Sequence, residues 1–535
     1  MSMHSANRIS GLISGFWSAA KSYPDRPALW VEEKEYSYQE LAERSLRLAA
    51  ALLREDPKGS HAFTAVFASR SLTAYLGVLA ALHRGHGYLP LNPAFPTDRS
   101  AYMLLSSEAV AIIVDQNCLP LLPAVLQSAT TSKVVLLPDV EDVDELRRTY
   151  PQHRIVSRSE IETTTPLAAP RVPDTDYAYL LFTSGSTGMP KGVLVSQSNV
   201  RHYVQAIAAR HQMSEVDRCS QTFEMTFDLS AHDMFVTWEA GACLCCPTSK
   251  ALLKPGGFIR DSKLTVWFSV PSTAVFMKRF GVLKPGMYPS LRLSLFCGEP
   301  LPVEVVKAWE SAAPQSVIEN LYGPTELTIA CTAYQWHSNR SPEEAEHGVV
   351  PIGEPLDRMS VLVAAEDLTE VQPGEEGELL MTGPQLSLGY WKDPERSNAA
   401  FVRPRGRTEV FYRTGDRVRR PAAGQPLIYL GRMDNQIKVL GHRVELGEVE
   451  AALRDASGVD AVIALGWPLN PSGAGGIEAF LQTESVDESA VLAQVAARLP
   501  TYMTPRRLHC LPSFPLNSNG KYDRKALLKI LANSP

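Results

Sequence analysis

The chain has 535 residues, of which 45 % are apolar and 21 % are charged, and these proportions are ordinary for a globular protein. A domain typically takes roughly 100–200 residues, so this length predicts about three or four structural units. The net charge is −6, and without a strong positive field the chain is not expected to bind nucleic acid, although local groups still allow a small anionic ligand.

The cysteine content and the N-terminal segment indicate a cytoplasmic protein. Eight cysteines in a chain of this length are too sparse for a disulfide scaffold. Their one local group, Cys243, Cys245 and Cys246, has no second Cys or His pair at zinc spacing and is interpreted as core packing. The N-terminus lacks the apolar segment of a signal peptide, and no apolar run approaches the roughly 18 residues of a membrane span.

Hydrophobic periodicity predicts the elements in chain order. Residues 10–55 predict helices with one extended piece, and residues 60–330 repeat a strand, a glycine-bearing turn and a helix, which is typical of parallel sheets. Short β runs occupy residues 345–430, and a mixed helix–strand region follows. We therefore predict an α/β protein, with an N-terminal domain (1–433) of two parallel-type sheet subdomains and a small β-rich subdomain, followed by a small α+β C-terminal domain (434–535).

A loop rich in glycine and hydroxyl groups follows the apolar stretch that begins at Leu180. Its glycines let the backbone approach a ligand, successive N–H groups form an anion nest, and Lys191 adds a mobile cation, so the loop suits a triphosphate. It is not a Walker A loop, because Pro190 stands at the second glycine position and Gly192 follows the lysine. The nucleotide-binding residues predicted in this loop are Thr183, Ser184, Gly185, Ser186, Thr187, Gly188 and Lys191.

Six further motifs follow this loop along the chain. They are GEP (298–300), NLYGPTE (320–326), YRTGD (412–416), GRMD (431–434), QIKVLGHRVELGE (436–448) and NSNGKYDR (517–524). In residue type, order and spacing, and over nearly its whole length, the chain resembles the ANL superfamily of acyl-CoA synthetases, luciferases and adenylation domains of nonribosomal peptide synthetases.

The resemblance implies ATP and Mg²⁺ as cofactors. By this resemblance, Tyr322 offers an aromatic face to adenine, Asn320 donates to and accepts from the adenine edge, Thr325 contacts the α-phosphate and Glu326 holds the metal ion. The remaining nucleotide contacts that it implies are Gly298, Glu299, Pro300, Gly323, Asp416 at the ribose hydroxyls, and Arg432.

The resemblance also implies that the C-terminal domain is mobile. Asp434 falls at the family's interdomain hinge, and Lys438 and Gly441 would approach an incoming thiol arm in a thioester-forming conformation. Lys521 would be the catalytic lysine of adenylation, whose ammonium group stabilises the charge that builds on the α-phosphate. Taken alone, these positions have plainer interpretations as a solvated loop, an ordinary helix start with solvated acids, and a surface turn.

The segment FDLSAHDMF (227–235) indicates the class of substrate. Amino-acid-activating members of the family place an aspartate at Asp228 to hold the α-ammonium group, and a buried carboxylate without such a cation is costly. The same residue can cap a helix, and His232 can either hydrogen-bond a substrate hydroxyl or fill space. The side-chain pocket mapped by position comprises Asp228, Leu229, His232, Thr273, Leu295, Cys297, Leu321, Ile329 and Ala330, closed by Lys521.

These features together predict a stand-alone amino-acid-adenylating ligase. Branched aliphatic residues fill the pocket, which favours alanine, serine or glycine, with proline-type amino acids second. Only 14 residues follow Lys521, so we expect a separate carrier protein to take the product on its phosphopantetheine thiol, in natural-product biosynthesis. A carboxylic acid–CoA ligase is the main alternative; a silent homologue is disfavoured because every expected polar position is filled, and a P-loop kinase is excluded by its loop.

Overall fold

The computed structural model describes residues 11–56, 62–127, 129, 131–173, 175–185, 189–434, 436–470, 472–516 and 522–533. Within these ranges, no helix combines the length and the apolar character that crossing a bilayer requires. The elements up to residue 162 are α1 (Ser14–Ser22), β1 (Pro27–Val31), β2 (Lys34–Ser37), α2 (Tyr38–Glu55), β3 (Phe63–Phe67), α3 (Leu72–His83), β4 (Gly87–Leu91), α4 (Thr97–Ser106), β5 (Ala111–Val114), α5 (Leu122–Gln127), β6 (Val134–Leu136), α6 (Asp144–Thr149), β7 (Arg154–Val156) and α7 (Arg158–Glu162).

Strands and helices continue to alternate in the next part of the chain. Its elements are β8 (Tyr177–Thr183), β9 (Lys191–Ser196), α8 (Gln197–His211), β10 (Arg218–Ser220), α9 (Leu229–Glu239), β11 (Cys243–Cys245), α10 (Ser249–Leu252), α11 (Pro255–Asp261), β12 (Val266–Ser269), α12 (Pro271–Arg279), β13 (Leu293–Phe296), α13 (Val303–Ala312), β14 (Val317–Tyr322), β15 (Thr332–Gln335), α14 (Ser341–Glu344) and β16 (Glu354–Pro355).

Shorter strands then dominate. The remaining elements are β17 (Ser360–Ala364), β18 (Glu376–Thr382), α15 (Pro394–Ala400), β19 (Phe401–Val402), β20 (Phe411–Arg419), β21 (Ile428–Arg432), β22 (Gln436–Val439), β23 (His442–Glu445), α16 (Leu446–Ser457), β24 (Val462–Gly466), β25 (Leu469–Asn470), β26 (Gly473–Ala474), β27 (Ile477–Gln482), α17 (Glu488–Ala496), β28 (Leu508–Leu511) and α18 (Arg524–Asn533).

Two large sheets form the body of the protein. The first has the order β7-β6-β5-β3-β4-β8-β9 and is parallel except at β8–β9. The second has the order β16-β15-β14-β13-β12-β10-β11-β1-β2 and is parallel from β14 to β1. The sequence prediction of an α/β protein with two parallel-type sheets is confirmed.

The first extended piece of the chain differs from the prediction. It forms a hairpin of β1 and β2 that turns at Glu32 and Glu33, both of which have positive φ. The strand β1 then pairs in parallel with β11, with Leu29 opposite Leu244, so the start of the chain belongs to the second sheet although β3 to β9 build the first.

The later part of the chain has its own smaller sheets. Strands β17 to β21 form an antiparallel sheet, as the short β runs predict. After residue 435, the sheets β23-β22-β26-β25 and β24-β27-β28 pack with α16, α17 and α18. The buried apolar residues of this segment form two clusters of their own, which contain no residue before Ile437.

Local sequence explains where the helices next to the site begin. Ser37 and Ser196 start α2 and α8 with side chains that accept the N–H groups of Glu40 and Asn199, an N-cap arrangement that satisfies free amide donors. Helix α9 is buried from Leu229 to Trp238, including its polar residues Ser230, His232, Asp233 and Thr237.

Burial of His83 predicts a loss of stability in acid. This residue ends α3, is fully buried, and has no partner for either ring nitrogen among the described residues, so burial lowers its pKa to about 3. The unfolded chain takes up a proton near pH 6.5 while the folded chain does not, so the free energy of unfolding should fall below that pH. At pH 4.5 this residue alone should cost roughly 2–3 kcal/mol.

Urea unfolding of the wild type and of His83→Leu at pH 7 and pH 4.5 measures this contribution. The variant should lose less stability between the two pH values, whereas the exposed control His347→Leu should follow the wild type. Equal acid sensitivity of the wild type and His83→Leu would show that His83 is not held neutral by the fold.

Candidate active site

The strands β8 and β9 hold the phosphate loop between them. The loop leaves β8 after Thr183 and returns at Lys191, the first residue of β9. The structure fixes Lys191 rather than leaving it mobile, since its Nζ lies 3.1 Å from the Tyr390 hydroxyl and 3.6 Å from Glu326. Burial lowers the pKa of Lys191, and the neighbouring Glu326 charge opposes that effect.

Glu326 is the most enclosed carboxylate of the site. It lies in the short turn that follows β14, is fully buried, accepts a hydrogen bond from the Tyr390 hydroxyl at 2.8 Å and pairs with Arg443 at 2.9 Å. Burial alone would raise its pKa, but the positive charges of Arg443 and Lys191, with the Tyr390 hydrogen bond, hold the pKa at about 2. Glu326 is therefore an anion at every physiological pH.

The hairpin of β22 and β23 lies against the phosphate loop. The Ser184 hydroxyl donates to the carbonyl oxygen of Arg443 at 2.9 Å and accepts the N–H of Glu445 at 3.2 Å. The same hairpin delivers the Arg443 side chain to Glu326. Hydrogen bonds therefore join the body to the C-terminal segment at the loop that is expected to hold phosphates.

Glu448 makes the second contact between the two parts. Its carboxylate pairs with Arg99 of α4 at 2.6 Å and accepts the N–H of Gly185 at 3.1 Å. Burial raises the pKa of Glu448, although the Arg99 charge opposes the shift. The interpretation of this segment as a helix start with solvated acids is wrong for Glu448, which is 1 % exposed.

A cleft beside the ends of β13 and β14 and the C-terminal hairpin contains six of the fifteen predicted nucleotide contacts. Asn320 donates its amide to the carbonyl oxygens of Val350 and Pro351, and its side-chain oxygen accepts no hydrogen bond from the part of the chain that the structure describes. The cleft is lined by Gly298, Glu299, Pro300, Asn320, Leu321, Tyr322, Gly323, Tyr429 and Lys438, among others.

Tyr322 and Asp416 meet at one end of this cleft. The Tyr322 hydroxyl donates to one oxygen of Asp416, and Arg432 approaches the other oxygen at 3.0 Å. Arg432 also pairs with Asp434, which in turn accepts the N–H of Gln436 at 3.1 Å. One guanidinium therefore connects the carboxylate predicted at the ribose with the residue predicted at the hinge.

Asp228 lies just before α9, and the structure separates its two proposed roles. Its side chain makes no N-cap hydrogen bond to α9; instead it accepts the N–H of Ile329 at 3.3 Å. Burial raises the pKa of Asp228 to about 7, while hydrogen bonds from Thr325 and from backbone N–H groups oppose the rise. No arginine or lysine pairs with this carboxylate among the described residues.

The loop opposite Asp228 is strained and clamped. Thr328 and Ile329 both have positive φ, which is costly for non-glycine residues and most of all for a β-branched one. The buried Gln385 amide donates to the carbonyl oxygens of Leu327, Thr328 and Ala330 and holds this conformation. The clamp aims the N–H of Ile329 at Asp228.

Six residues of the predicted side-chain pocket belong to the large apolar core of the body. They are Leu229, Leu295, Cys297, Leu321, Ile329 and Ala330, each at most 4 % exposed. His232 lies four residues after Asp228 on α9 and is hydrogen-bonded through Nδ1 to the Tyr203 hydroxyl at 2.7 Å. Burial lowers the pKa of His232 to about 3, so the ring is neutral.

Thr273, also assigned to the side-chain pocket, lies on the wall of a cavity of about 240 Å³. We call it the hairpin cavity, because it opens beside the turn between β22 and β23. His442 of that turn stacks on Tyr502 at 3.7 Å and meets the edge of Phe227 at 4.6 Å. The residues that line the hairpin cavity include Phe227, Ala251, Leu252, Thr273, Gly441 and His442.

Four predicted site residues, Ser186, Thr187, Gly188 and Lys521, lie outside the described residues. Within the described ranges, no group of three or more His, Cys, Asp or Glu could hold a metal ion alone. The buried, ionised Glu326 still fits Mg²⁺, because this ion often takes only one or two protein carboxylates and completes its shell with water and substrate phosphates.

Sequence reasoning missed several residues of the site. They are Arg99, Tyr203, Gln385, Tyr390, Arg443 and Glu448. Arg443 and Glu448 belong to a motif that was recognised, so their charges were the available signal. The others carry no local pattern that marks them.

Comparison with known proteins agrees with this geometry. A family model described as "AMP-binding enzyme" matches residues 16–391. Tyrocidine synthase 2 of Brevibacillus parabrevis is 32 % identical over 520 residues, 96 % of this chain but 13 % of the relative. The L-proline–[L-prolyl-carrier protein] ligase of Pseudomonas fluorescens is 32 % identical over 95 % of this chain and 96 % of its own length.

A solved structure is similar along the entire chain. It is the Vibrio cholerae adenylation domain AlmE in complex with glycyl-adenosine-5'-phosphate, at a TM-score of 0.87 and 33 % identity, with 100 % of both chains covered. Because the family model matches well over half of the residues, this chain belongs to the AMP-binding enzyme family of adenylate-forming ligases.

Proposed function

We propose that this enzyme activates a small neutral α-amino acid with ATP to an aminoacyl-adenylate and then transfers the aminoacyl group to the phosphopantetheine thiol of a separate carrier protein. The observation that carries the proposal is the buried Asp228 carboxylate. It faces the strained Ile329 loop without a cationic partner in the described ranges, and an α-ammonium group supplies the missing charge.

The aliphatic residues of the proposed pocket favour glycine, alanine or serine. They are almost completely buried, and we infer that a small substrate side chain fits among them with the least rearrangement. The glycyl-adenylate named for AlmE supports this size class, whereas the proline named for the Pseudomonas ligase supports the second candidate.

In the first step, the substrate carboxylate attacks the α-phosphorus of ATP, a new P–O bond forms, and pyrophosphate leaves with the electrons of the bond that breaks. We assign nucleotide binding to the cleft residues, with Asp416 accepting from the ribose hydroxyls and Asn320 offering its free oxygen to adenine. Glu326 would hold Mg²⁺, which neutralises phosphate charge, and Lys191 and Lys521 supply further positive charge.

In the second step, the carrier thiol attacks the adenylate carbonyl carbon, the C–O bond to AMP breaks, and the thiol proton passes to solvent. The hairpin contacts described above are those expected for this thioester-forming arrangement, since Lys438 and Gly441 lie at the cleft and at the hairpin cavity. We propose that residues 434–535 rotate about Asp434 between the two steps, which exchanges Lys521 for the hairpin.

Asp228→Asn should reduce kcat/KM for the amino acid by about 30-fold or more, because it removes a buried charge partner. In the wild type, kcat/KM should also fall as the pH drops below about 7, since protonated Asp228 no longer attracts the ammonium group. Pyrophosphate exchange with the twenty amino acids, β-amino acids, and fatty and aryl acids measures both effects. A response to non-amino acids alone would identify a carboxylic acid–CoA ligase instead.

Two substitutions should separate the half-reactions. Lys521→Ala should slow adenylate formation by roughly 100- to 1,000-fold and spare ATP binding. Gly441→Leu should slow thioester formation and spare adenylate formation. A Cβ on Gly441, whose φ is +84°, would lie 2.5 Å from Val270 Cγ1 and keep the hairpin from docking. Pyrophosphate exchange and thioester formation from preformed adenylate report the two steps, and each variant serves as the other's control; equal loss of both activities in Gly441→Leu would contradict the rotation.

A further inference from the structure

The segment from residue 249 to residue 286 has a charge opposite to that of the whole protein. It contains seven basic residues and one acidic residue, Asp261, for a net charge of +6 in a chain whose net charge is −6. All seven are exposed, and within the described ranges only Lys278 forms an ion pair, with Glu304 at 3.9 Å. The seven residues are Lys250, Lys254, Arg260, Lys263, Lys278, Arg279 and Lys284.

Large apolar side chains stand exposed among these cations. Leu253 is 74 % exposed at the end of α10, and Phe280 is 64 % exposed after α12. Phe276 packs on Phe280 with the ring centroids 4.4 Å apart, so the two aromatic rings form one apolar group. Exposed apolar residues clustered inside a charged rim are typical of protein interaction sites rather than of ordinary surface.

This basic–apolar surface, defined by residues 249–286, borders the mouth of the hairpin cavity. Ala251 and Leu252 of α10 and Thr273 of α12 line that cavity. The exposed Leu253 follows Leu252 directly, and the exposed Phe276 lies one helical turn after Thr273. Across the opening, Leu440 of the C-terminal hairpin also lines the cavity and is 55 % exposed. A molecule seated on this surface could thread a flexible arm past Thr273 to Gly441.

We propose that the basic–apolar surface docks the carrier protein, and that the partner presents an acidic face with an apolar centre beside its pantetheine arm. This inference rests on the proposed function, because it names the docking surface for the second half-reaction. The exposed cations steer an acidic protein by long-range attraction, and the Phe276–Phe280 pair and Leu253 contribute contact area at the centre. An acidic lipid or a nucleic acid would also be attracted by the cations, but neither carries an arm that would enter the adjoining hairpin cavity.

The double reversal Lys254→Glu/Arg279→Glu tests the charged part of the surface. Neither residue lies in the adenylation site, and both are exposed, so folding should be unaffected. The control Arg148→Glu/Arg405→Glu changes the net charge by the same amount on α6 and on the loop before β20. The probe is the holo carrier protein that the wild type loads fastest, chosen from a panel of acidic carrier domains.

The reversal should raise KM for the holo carrier by about tenfold or more and should weaken its salt dependence. In the reversal variant, pyrophosphate exchange and aminoacyl transfer to free pantetheine should remain unchanged. In the control variant, these two activities and the KM for the holo carrier should all remain unchanged. Phe280→Ser should raise KM for the carrier in the same way but keep the salt dependence of the wild type.

Unchanged carrier KM in the reversal and in Phe280→Ser would overturn the docking surface while leaving the proposed function intact. A wild type that supports exchange but loads no carrier and no free pantetheine would instead contradict the second half-reaction. If the variants alter only the oligomeric state, as measured by light scattering, the surface contacts a second copy of the enzyme and the proposal is wrong.

Discussion

The buried carboxylate of Glu326 is the constraint around which the site is organised. A carboxylate with no exposure to water is tolerated only when it is surrounded by positive charge and hydrogen-bond donors. Here the donors come from three separate parts of the chain: Lys191 from β9, the Tyr390 hydroxyl from the connection after β18, and Arg443 from the C-terminal hairpin. Satisfying one anion therefore brings the body, the β-rich subdomain and the C-terminal segment together.

Polar contacts attach the C-terminal segment beside the phosphate loop. Arg443 with Glu326, Arg99 with Glu448, and the paired hydrogen bonds at Ser184 carry the interface beside the phosphate loop. Its apolar clusters remain its own, so the segment would keep a core in the proposed rotation. Polar contacts over a separate core are compatible with that rotation, because water can replace ionic contacts more cheaply than it can solvate an apolar face.

Local pattern was enough to predict the two parallel-type sheets, because hydrophobic periodicity depends on residues close together in the sequence. The class of enzyme followed from the resemblance of the motifs to a known family. Local pattern was insufficient where residues far apart in the sequence meet. Arg99 and Glu448 are 349 positions apart, and nothing near either residue marks the pair. Gln385 stabilises positive φ at Thr328 and Ile329, a conformation that their residue types would not indicate.

The pairing of β1 with β11 has a consequence for how the chain folds as it is made. Leu29 lies opposite Leu244, so 215 residues must be synthesised before β1 meets its parallel neighbour. At roughly 5–20 residues per second, that delay lasts about 10–40 s. In the meantime, β2 pairs with β1 and covers one of its edges. The exposed residues Lys34 and Glu35 of β2 place charged side chains at the outer edge of this hairpin, which disfavours pairing with other strands. The strand β1 thus joins the second sheet only after all strands of the first sheet have been synthesised.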